Sequence, residues 1–474
     1  MHRTSIKARS PAFRMTRNFF LHIHSPRVHK YSLQPRYTLG LGVMAGFLFL
    51  ILLVTGALLM LYYTPSVERA YASVKDIIFV VPGGKIIRNL HRWAGHAMVL
   101  AVFLHVLRVF YTASYLNGRR LNWIIGVVLL VVTLGLSFSG YLLPWDQLAY
   151  WAIMIGSNIA ASFRELTDAL GITSLFDIGG LIKKLLLGGE TVGQAALSRF
   201  FLLHVVFLPI TMLVLLGVHF WRIRKDGGLS RPFNADEIIA QKEALTSKNT
   251  NDKADIQNSQ KKEQKVWAWP AALWGELAVL MLTLAVLLCI ATFFDAPLRE
   301  QANPALPENP AKSPWYFLGI QELVSHSAFA GGILVPLGLL AFLISIPFKD
   351  REKKNIGLWF SGPAGIKIFL LSMLFAFIST TILLFITIRF GWLRDWLTDI
   401  PQLFIIVVNP ATIITLLYAV WSLIIARRTQ SSRQAAIALF TCVMTGYILF
   451  TIVGVYFRGP NWDFYWLKSM WPVQ

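Results

Sequence analysis

The sequence predicts an all-α, polytopic transmembrane helical bundle, and three observations predict it. Of 474 residues, 55% are hydrophobic and 14% charged, against roughly 45–50% and about 25% in ordinary globular chains. Nine stretches approach the ~20 apolar residues that take a helix across about 30 Å of hydrocarbon. The charge excess, 44 Lys and Arg against 24 Asp and Glu, is sorted by loop. This composition excludes intrinsic disorder, a collagen-like repeat and a solvated coiled coil. In a soluble chain a net charge of +20 would suggest nucleic acid. In an apolar one it reports topology, and no nucleic-acid partner is expected. Two cysteines, Cys289 and Cys442, are too few for a disulfide framework or a zinc knuckle, and no Cys-x-x-Cys-His occurs to attach a c-type haem.

The expected spans are 39–63, 90–112, 122–143, 202–223, 270–294, 331–347, 365–388, 403–426 and 434–457. The sixth is short, and Asn409-Pro410 interrupts the eighth. The first 37 residues hold no apolar core of a secretory signal, and 14–24 reads as a short interfacial helix. Residues 234–265, rich in Lys, Glu, Asp, Asn, Gln and Ser, read as a flexible linker. The expected divisions are therefore an N-terminal segment 1–38, a four-span half 39–230, a charged linker 231–268 and a five-span half 269–474. The loop 144–201 has possible amphipathic helices; 295–330 is Pro-rich and then aromatic.

The positive-inside rule orients the bundle. Residues 1–37, the Arg119-Arg120 turn, 222–268, 349–367 and 427–433, with Arg108, carry 29 basic and 9 acidic residues, and the remainder carries 15 of each. The first set is expected on the cytoplasmic, negative side together with the N-terminus. The C-terminus is expected on the positive side, the periplasm for a bacterial inner membrane.

Four histidines inside spans carry the chemistry. His91 and His105 are fourteen residues apart in span two; His204 and His219 are fifteen apart in span four. At 100° per residue these intervals end about 40° short of whole turns and about 60° past them, so each pair shares a stripe, its members about 21 Å apart. The two helices run the same way, so His91 can face His204, and His105 can face His219, at two depths. Facing imidazoles at one depth form a bis-histidine haem site, and two such sites form an electron path. Arg88, Arg108, Arg199 and Arg222 flank the histidines, where a guanidinium can pair with anionic propionates. Gly42 and Gly56, like Gly126 and Gly140, are fourteen apart, as if small residues let the porphyrin planes approach; glycines are also common at plain helix contacts. His96 lies about 140° off the stripe and reads as a packing residue or one that supports the ligands from behind. His326 is either solvated or near a substrate. Ionisable groups inside a membrane are costly and usually functional.

These residues resemble cytochrome b of the quinol:cytochrome c or plastocyanin oxidoreductases, most of all the split, chloroplast-type form. The matching segments are Leu90-His-Arg-Trp93, His105-Val-Leu-Arg-Val-Phe-Tyr111, Gly140-Tyr-Leu-Leu-Pro-Trp-Asp-Gln147, Ser198-Arg-Phe-Phe-Leu-Leu-His204, His219 to Gly227 and Tyr62 to Val74. They cover about 39–230, and the fifteen-residue interval is the split-form spacing. Ser313-Pro-Trp-Tyr-Phe-Leu318 and the helix ending near Pro347-Phe348 resemble the smaller partner subunit over roughly 270–348, which makes the linker a fusion joint. The last three spans match weakly. The resemblance implies quinol oxidation on the positive side, one electron passing to a Rieske iron–sulfur protein and the other through two haems b to a quinone site on the negative side. It implies His91 and His204 as ligands of the positive-side haem and His105 and His219 of the negative-side haem. Arg88 and Arg199 would hold propionates of the former, Arg108 those of the latter. A c-type cytochrome partner, a homodimer and membrane lipid are further implied.

Two departures matter. The family's Pro-Glu-Trp-Tyr is here Ser313-Pro314-Trp315-Tyr316, so the acid is missing. Glu322, about 240° round a helix from Tyr316, is the expected proton acceptor, with Asp146 the runner-up; the alternative for Glu322 is a solvated loop carboxylate. Trp315, Tyr316 and Trp145 would shape the oxidation pocket. The split form also carries a haem held by a cysteine at the start of span one; no cysteine precedes Cys289, so no covalent haem is expected. Arg224, Lys225 and Asp226 could meet quinone at the negative side, or Arg224 could be a positive-inside anchor. Two other functions stay open: a dihaem subunit passing electrons without bifurcation to a multihaem partner, and a transporter with Asn409-Pro410 as its broken helix.

Overall fold

In a computed structural model, which describes residues 27–246, 264–397 and 399–472, the described residues are predominantly helical. Strand β1 (Arg27–His29) leads to α1 (Leu41–Met60), α2 (Ala70–Phe79), α3 (Gly84–Tyr111) and α4 (Arg120–Tyr141). Three shorter helices follow, α5 (Gln147–Ala161), α6 (Phe163–Ala169) and α7 (Ile178–Leu187). Next come α8 (Gln194–Lys225), α9 (Ala235–Thr246), strand β2 (Lys265–Trp267) and α10 (Ala268–Phe293). The remainder is α11 (Trp315–Val324), α12 (Ala330–Lys349), α13 (Pro363–Phe390), α14 (Gln402–Val407), α15 (Pro410–Thr429) and α16 (Ser432–Phe457). Among the described residues nine helices are long and apolar enough to cross a membrane, namely α1, α3, α4, α8, α10, α12, α13, α15 and α16. They are the nine expected spans, and the chain is a multi-pass membrane protein.

The expected 14–24 helix lies outside the described residues. The described ends of the expected linker are structured. Its start is helix α9, and Lys265–Trp267 pairs antiparallel with Arg27–His29. His29 Nε2 meets Asp236 Oδ1 at 2.9 Å, so a buried imidazole and a helix-start carboxylate fasten three segments that composition alone marks as solvated. The Asn409-Pro410 expectation also changes. Asn409 is the N-cap of α15, its Oδ1 accepting from the backbone N–H of Ala411 and Thr412, with Pro410 at the first turn. Proline is tolerated there because its missing N–H has no helical partner to lose. The eighth span thus begins at Pro410, and 402–407 is a separate short helix.

Helix α8 solves a spacing problem. Pro209 lacks the N–H that would bond back one turn, and its ring crowds that carbonyl. The turn Leu203–Phe207 just before it is π-type. A π-turn absorbs one extra residue, so the fifteen-residue His204–His219 interval acts like the fourteen-residue one in α3. The two helices therefore present histidines in matching register. Ala45, Ala94 and Ala101, with Leu48, Met98, Val132 and Met212, fill the core among α1, α3, α4 and α8. Span α10 packs along α3; Asn89 Nδ2 donates to the Ala291 carbonyl at 2.9 Å and Trp93 Nε1 to the Phe294 carbonyl at 2.8 Å. A second core joins α3 and α4 to α12 and α16 through Phe110, Tyr111, Trp123, Ile346 and Phe440.

Candidate haem and quinol site

The four histidines meet as the stripes predict. His91 on α3 and His204 on α8 have ring centres 6.3 Å apart with planes at 81°. Thr55 on α1 gives its hydroxyl proton to the Ile51 carbonyl at 2.7 Å and meets His91 Nδ1 at 2.9 Å. With its one proton so placed, Thr55 accepts from His91, and Nδ1 carries the hydrogen. His204 Nδ1 lies 3.0 Å from the Leu136 carbonyl, which can only accept, so it too is Nδ1–H. Both Nε2 atoms are then bare lone pairs. Imidazoles at this 6.3 Å separation, turned with Nε2 inward, would leave about 4 Å between the two nitrogens, room for two metal–imidazole bonds of about 2 Å. At the other depth His105 and His219 lie close enough for their charges to interact. His219 Nδ1 is buried with the Asn122 backbone nearby but outside hydrogen-bond geometry.

Each of the four glycines stands against one imidazole. A Cβ on Gly140 would lie 2.5 Å from His204 Cε1, on Gly56 3.2 Å from His91 Cε1, on Gly42 3.1 Å from His105 Cε1 and on Gly126 3.6 Å from His219 Cε1. The glycines make room for the ligand rings themselves. A cavity of about 390 Å³ opens between the first pair, with Gly56, Gly140, Arg88, Arg92 and Tyr316 in its wall. Arg92 has a buried Nε with no partner and stacks 4.8 Å over the Tyr141 ring. Arg108 is buried, stacks on Tyr37 at 4.6 Å and leaves Nη2 without a partner. Unsatisfied buried guanidinium nitrogens beside each pair fit an anionic group that the chain does not itself provide. Two paired imidazoles with bare Nε2 atoms, a glycine cradle and orphaned arginines fit a bis-histidine haem. Among the described residues no group of three or more His, Cys, Asp and Glu could hold a metal; a porphyrin, which brings four ring nitrogens, needs only two.

The remaining expected residues divide. Arg88 is in the cavity wall but donates to the carbonyls of Ala296 (2.8 Å) and Pro297 (2.9 Å). Arg199 is not in that wall; its Nη1 donates to the carbonyls of Lys184 and Leu185 at the end of α7. Arg92, next to His91, was legible only as part of the Leu90–Trp93 segment. Asp146 lines the cavity, yet Oδ1 accepts from Ala149 N–H at 2.8 Å and Oδ2 from Arg299 N–H at 2.9 Å. Tyr316 lines the cavity, its hydroxyl paired with Ser137 and its carbonyl accepting from Tyr447 at 2.6 Å. Burial raises its pKa, opposed by the Ser137 hydrogen bond. Trp315 Nε1 donates to His96 Nδ1 at 3.1 Å. Trp145 is buried against Tyr150.

Glu322 does not face the pocket and is no solvated loop carboxylate. It is fully buried, held by Arg458 Nε at 3.1 and 3.0 Å and by Trp462 Nε1 at 3.0 Å. The helical angle turned it away from the Tyr316 ring and toward the end of α16. His326 nearby is half-buried, and its partial desolvation lowers its pKa against the opposing pull of Glu322. On the other face, Asp226 Oδ1 pairs with Arg222 at 2.7 Å while Oδ2 stays buried without a partner. Lys225 stacks on Trp221 at 4.8 Å.

A model of the Cytochrome b/b6/petB family matches residues 29–227. Cytochrome b6 of Heliobacterium mobile is 45% identical over 197 residues, 41% of this chain and 87% of that protein. The chain belongs to the cytochrome b/b6 family. Cytochrome b6 of Prochlorococcus marinus (strain MIT 9211) is 41% identical over 179 residues, 38% of this chain and 77% of that one. These matches cover only the first half. A chain of a hyperthermophilic respiratory Complex III is similar over 90% of this chain and 92% of its own length, with a TM-score of 0.59 and 23% identity; it shows the fold of both halves. Membership in the cytochrome b/b6 family implies haem b, which the histidine pairs fit.

Proposed function

We propose that the chain is the cytochrome b subunit of a Rieske/cytochrome b type quinol oxidoreductase. It oxidises quinol on the positive side, reduces quinone on the negative side and thereby builds proton motive force. The observation that carries this reading is the pairing of His91 with His204 and of His105 with His219 at two depths, the first pair opening into the cavity that Tyr316 closes. Haem bound at the two pairs supplies one-electron redox chemistry linking the faces. The chain's residues do the rest. Thr55 and the Leu136 carbonyl fix the ligand tautomers, and Arg92 and Arg108 offer unpaired donors to propionates. Tyr316, Ser137, Trp315 and Asp146 bound the place for a quinol head group. Arg222, Asp226, Arg224 and Lys225 border the negative-side place for quinone. The N-terminus lies on the cytoplasmic face of a bacterial inner membrane, 39–230 and 269–474 are the two fused halves, and the complex is a dimer with a Rieske protein and a c-type cytochrome.

The missing acid of the Ser313–Tyr316 tetrad favours a second reading, a dihaem subunit passing electrons one way to a multihaem cytochrome. A reduced-minus-oxidised spectrum with redox titration of the purified complex tests both. Two b-type centres of different potential are expected; their absence sinks both. Turnover that survives removal of a Rieske protein leaves only the second.

A further inference from the structure

Helix α3 holds two histidines in opposite tautomers. His91 is Nδ1–H because it donates to Thr55. His96 is the reverse. The indole Nε1–H of Trp315 donates to His96 Nδ1 at 3.1 Å, and an indole nitrogen can only donate. His96 Nδ1 therefore carries a lone pair, and in the neutral ring the hydrogen sits on Nε2. His96 borders the same cavity as His91, and its ring packs 5.6 Å from Tyr316 at 63°. No other described residue takes the Nε2 hydrogen.

Apart from Arg92, whose unpaired Nε is assigned to a propionate, the other polar groups at this end of the cavity are committed. Asp146 accepts a backbone N–H on each oxygen. The Ser137 hydroxyl pairs with that of Tyr316. Glu322 lies outside the cavity, closed into its bond with Arg458. His96 Nε2–H is thus a directed donor, held in one orientation, at the Tyr316 end.

We propose that His96 is a quinol-binding residue whose Nε2–H donates to one head-group oxygen, with Trp315 as the positioning residue that locks its tautomer. The proposal rests on the reading of the chain as a quinol oxidoreductase and names a contact of that site. As the quinol oxygen loses its proton it gains negative charge, and a preset N–H donor binds it more strongly then than before. The proton does not pass to His96, whose only lone pair is held by Trp315. His96 binds and orients; the proton leaves by another group.

The test is steady-state oxidation of menadiol and of decylubiquinol by the assembled complex carrying His96→Leu, His96→Gln or Trp315→Phe, with reduced-minus-oxidised spectra and pH profiles of each. His96→Leu is expected to raise KM about three- to tenfold, the effect of one hydrogen bond, with both b-type bands kept. His96→Gln keeps an N–H donor and should recover most of the loss. Trp315→Phe frees the tautomer and should raise KM by a smaller factor. An unchanged KM in His96→Leu with intact bands overturns the proposal. So does a lost pH limb at unchanged KM, which would make His96 a proton acceptor. If His96→Leu loses its haem bands, Trp315→Phe decides, and an unchanged KM there overturns the assignment. A wild-type complex that oxidises neither quinol overturns the functional reading, and this proposal with it. A wild type that turns over beside an indistinguishable His96→Leu overturns the His96 assignment alone.

Discussion

At Gly140 one methyl group separates an open ligand ring from a blocked one. The Cβ of an alanine would stand 2.5 Å from His204 Cε1, closer than real side chains pack, whereas at Gly126 the same atom would meet His219 Cε1 at an ordinary 3.6 Å. Gly140→Ala should therefore displace His204 and strip one b-type centre, and Gly126→Ala should leave both, as read by haem content per chain and by redox titration. Equal loss in the two variants would mean that the glycines serve general helix packing. Thr55→Val removes the acceptor of the His91 Nδ1–H at nearly constant volume. Losing such an outer partner costs about 10- to 100-fold in metal affinity, so the centre at His91 and His204 alone should become labile to dilution or shift in potential. The histidine stripes and glycine intervals were legible in the sequence because they follow from helical period alone. The tautomers were not, since Thr55 and Trp315 reach His91 and His96 across 36 and 219 residues of chain.

Elements show the same division between local and distant causes. The span boundaries follow from hydropathy, and the Asn409 cap could have been read from an Asn-Pro pair at a helix start. The π-turn before Pro209 explains why a fifteen-residue interval works in α8. The partner of Glu322 was out of reach: a helical angle gives a direction, not what stands there, and Arg458 comes 136 residues later. That pair pins α11, and with it Trp315 and Tyr316, to the end of α16, where Tyr447 also donates to the Tyr316 carbonyl. Removing one partner of a buried pair strands a charge and costs about 3–5 kcal/mol, while replacing both with apolar groups is often neutral. Arg458→Leu should thus lower the thermal stability of the complex sharply and raise KM for quinol. The double variant Glu322→Leu/Arg458→Leu should recover most of the stability. If the single variant is as stable as wild type, the clamp carries no weight.

Across the whole molecule the +20 net charge is sorted onto one set of loops. The basic loops sit beside a buried network that ties the halves together. Asp350 receives Arg433 Nε and the Tyr115 hydroxyl, each at 2.8 Å, and Trp123 donates to the Leu343 carbonyl at 2.6 Å. Arg433 comes from α16, Tyr115 from the turn after α3, so the two halves share one polar core at the face where the surplus lysines and arginines lie. The opposite face carries α11 and the His91–His204 cavity. If the charge sorting sets orientation, α7–α8 connects on the positive side and α12–α13 on the negative side. A membrane-impermeant maleimide applied to intact spheroplasts should then label Glu190→Cys and spare Lys353→Cys, in a background with Cys289→Ser, and inverted vesicles should reverse the pattern. Labelling of Lys353→Cys from outside would turn the bundle over. The cavity with Tyr316 and His96 would then face the cytoplasm, quinol protons would be released on the wrong side to build a gradient, and the energetic sense of the reaction would fail even with both histidine pairs in place.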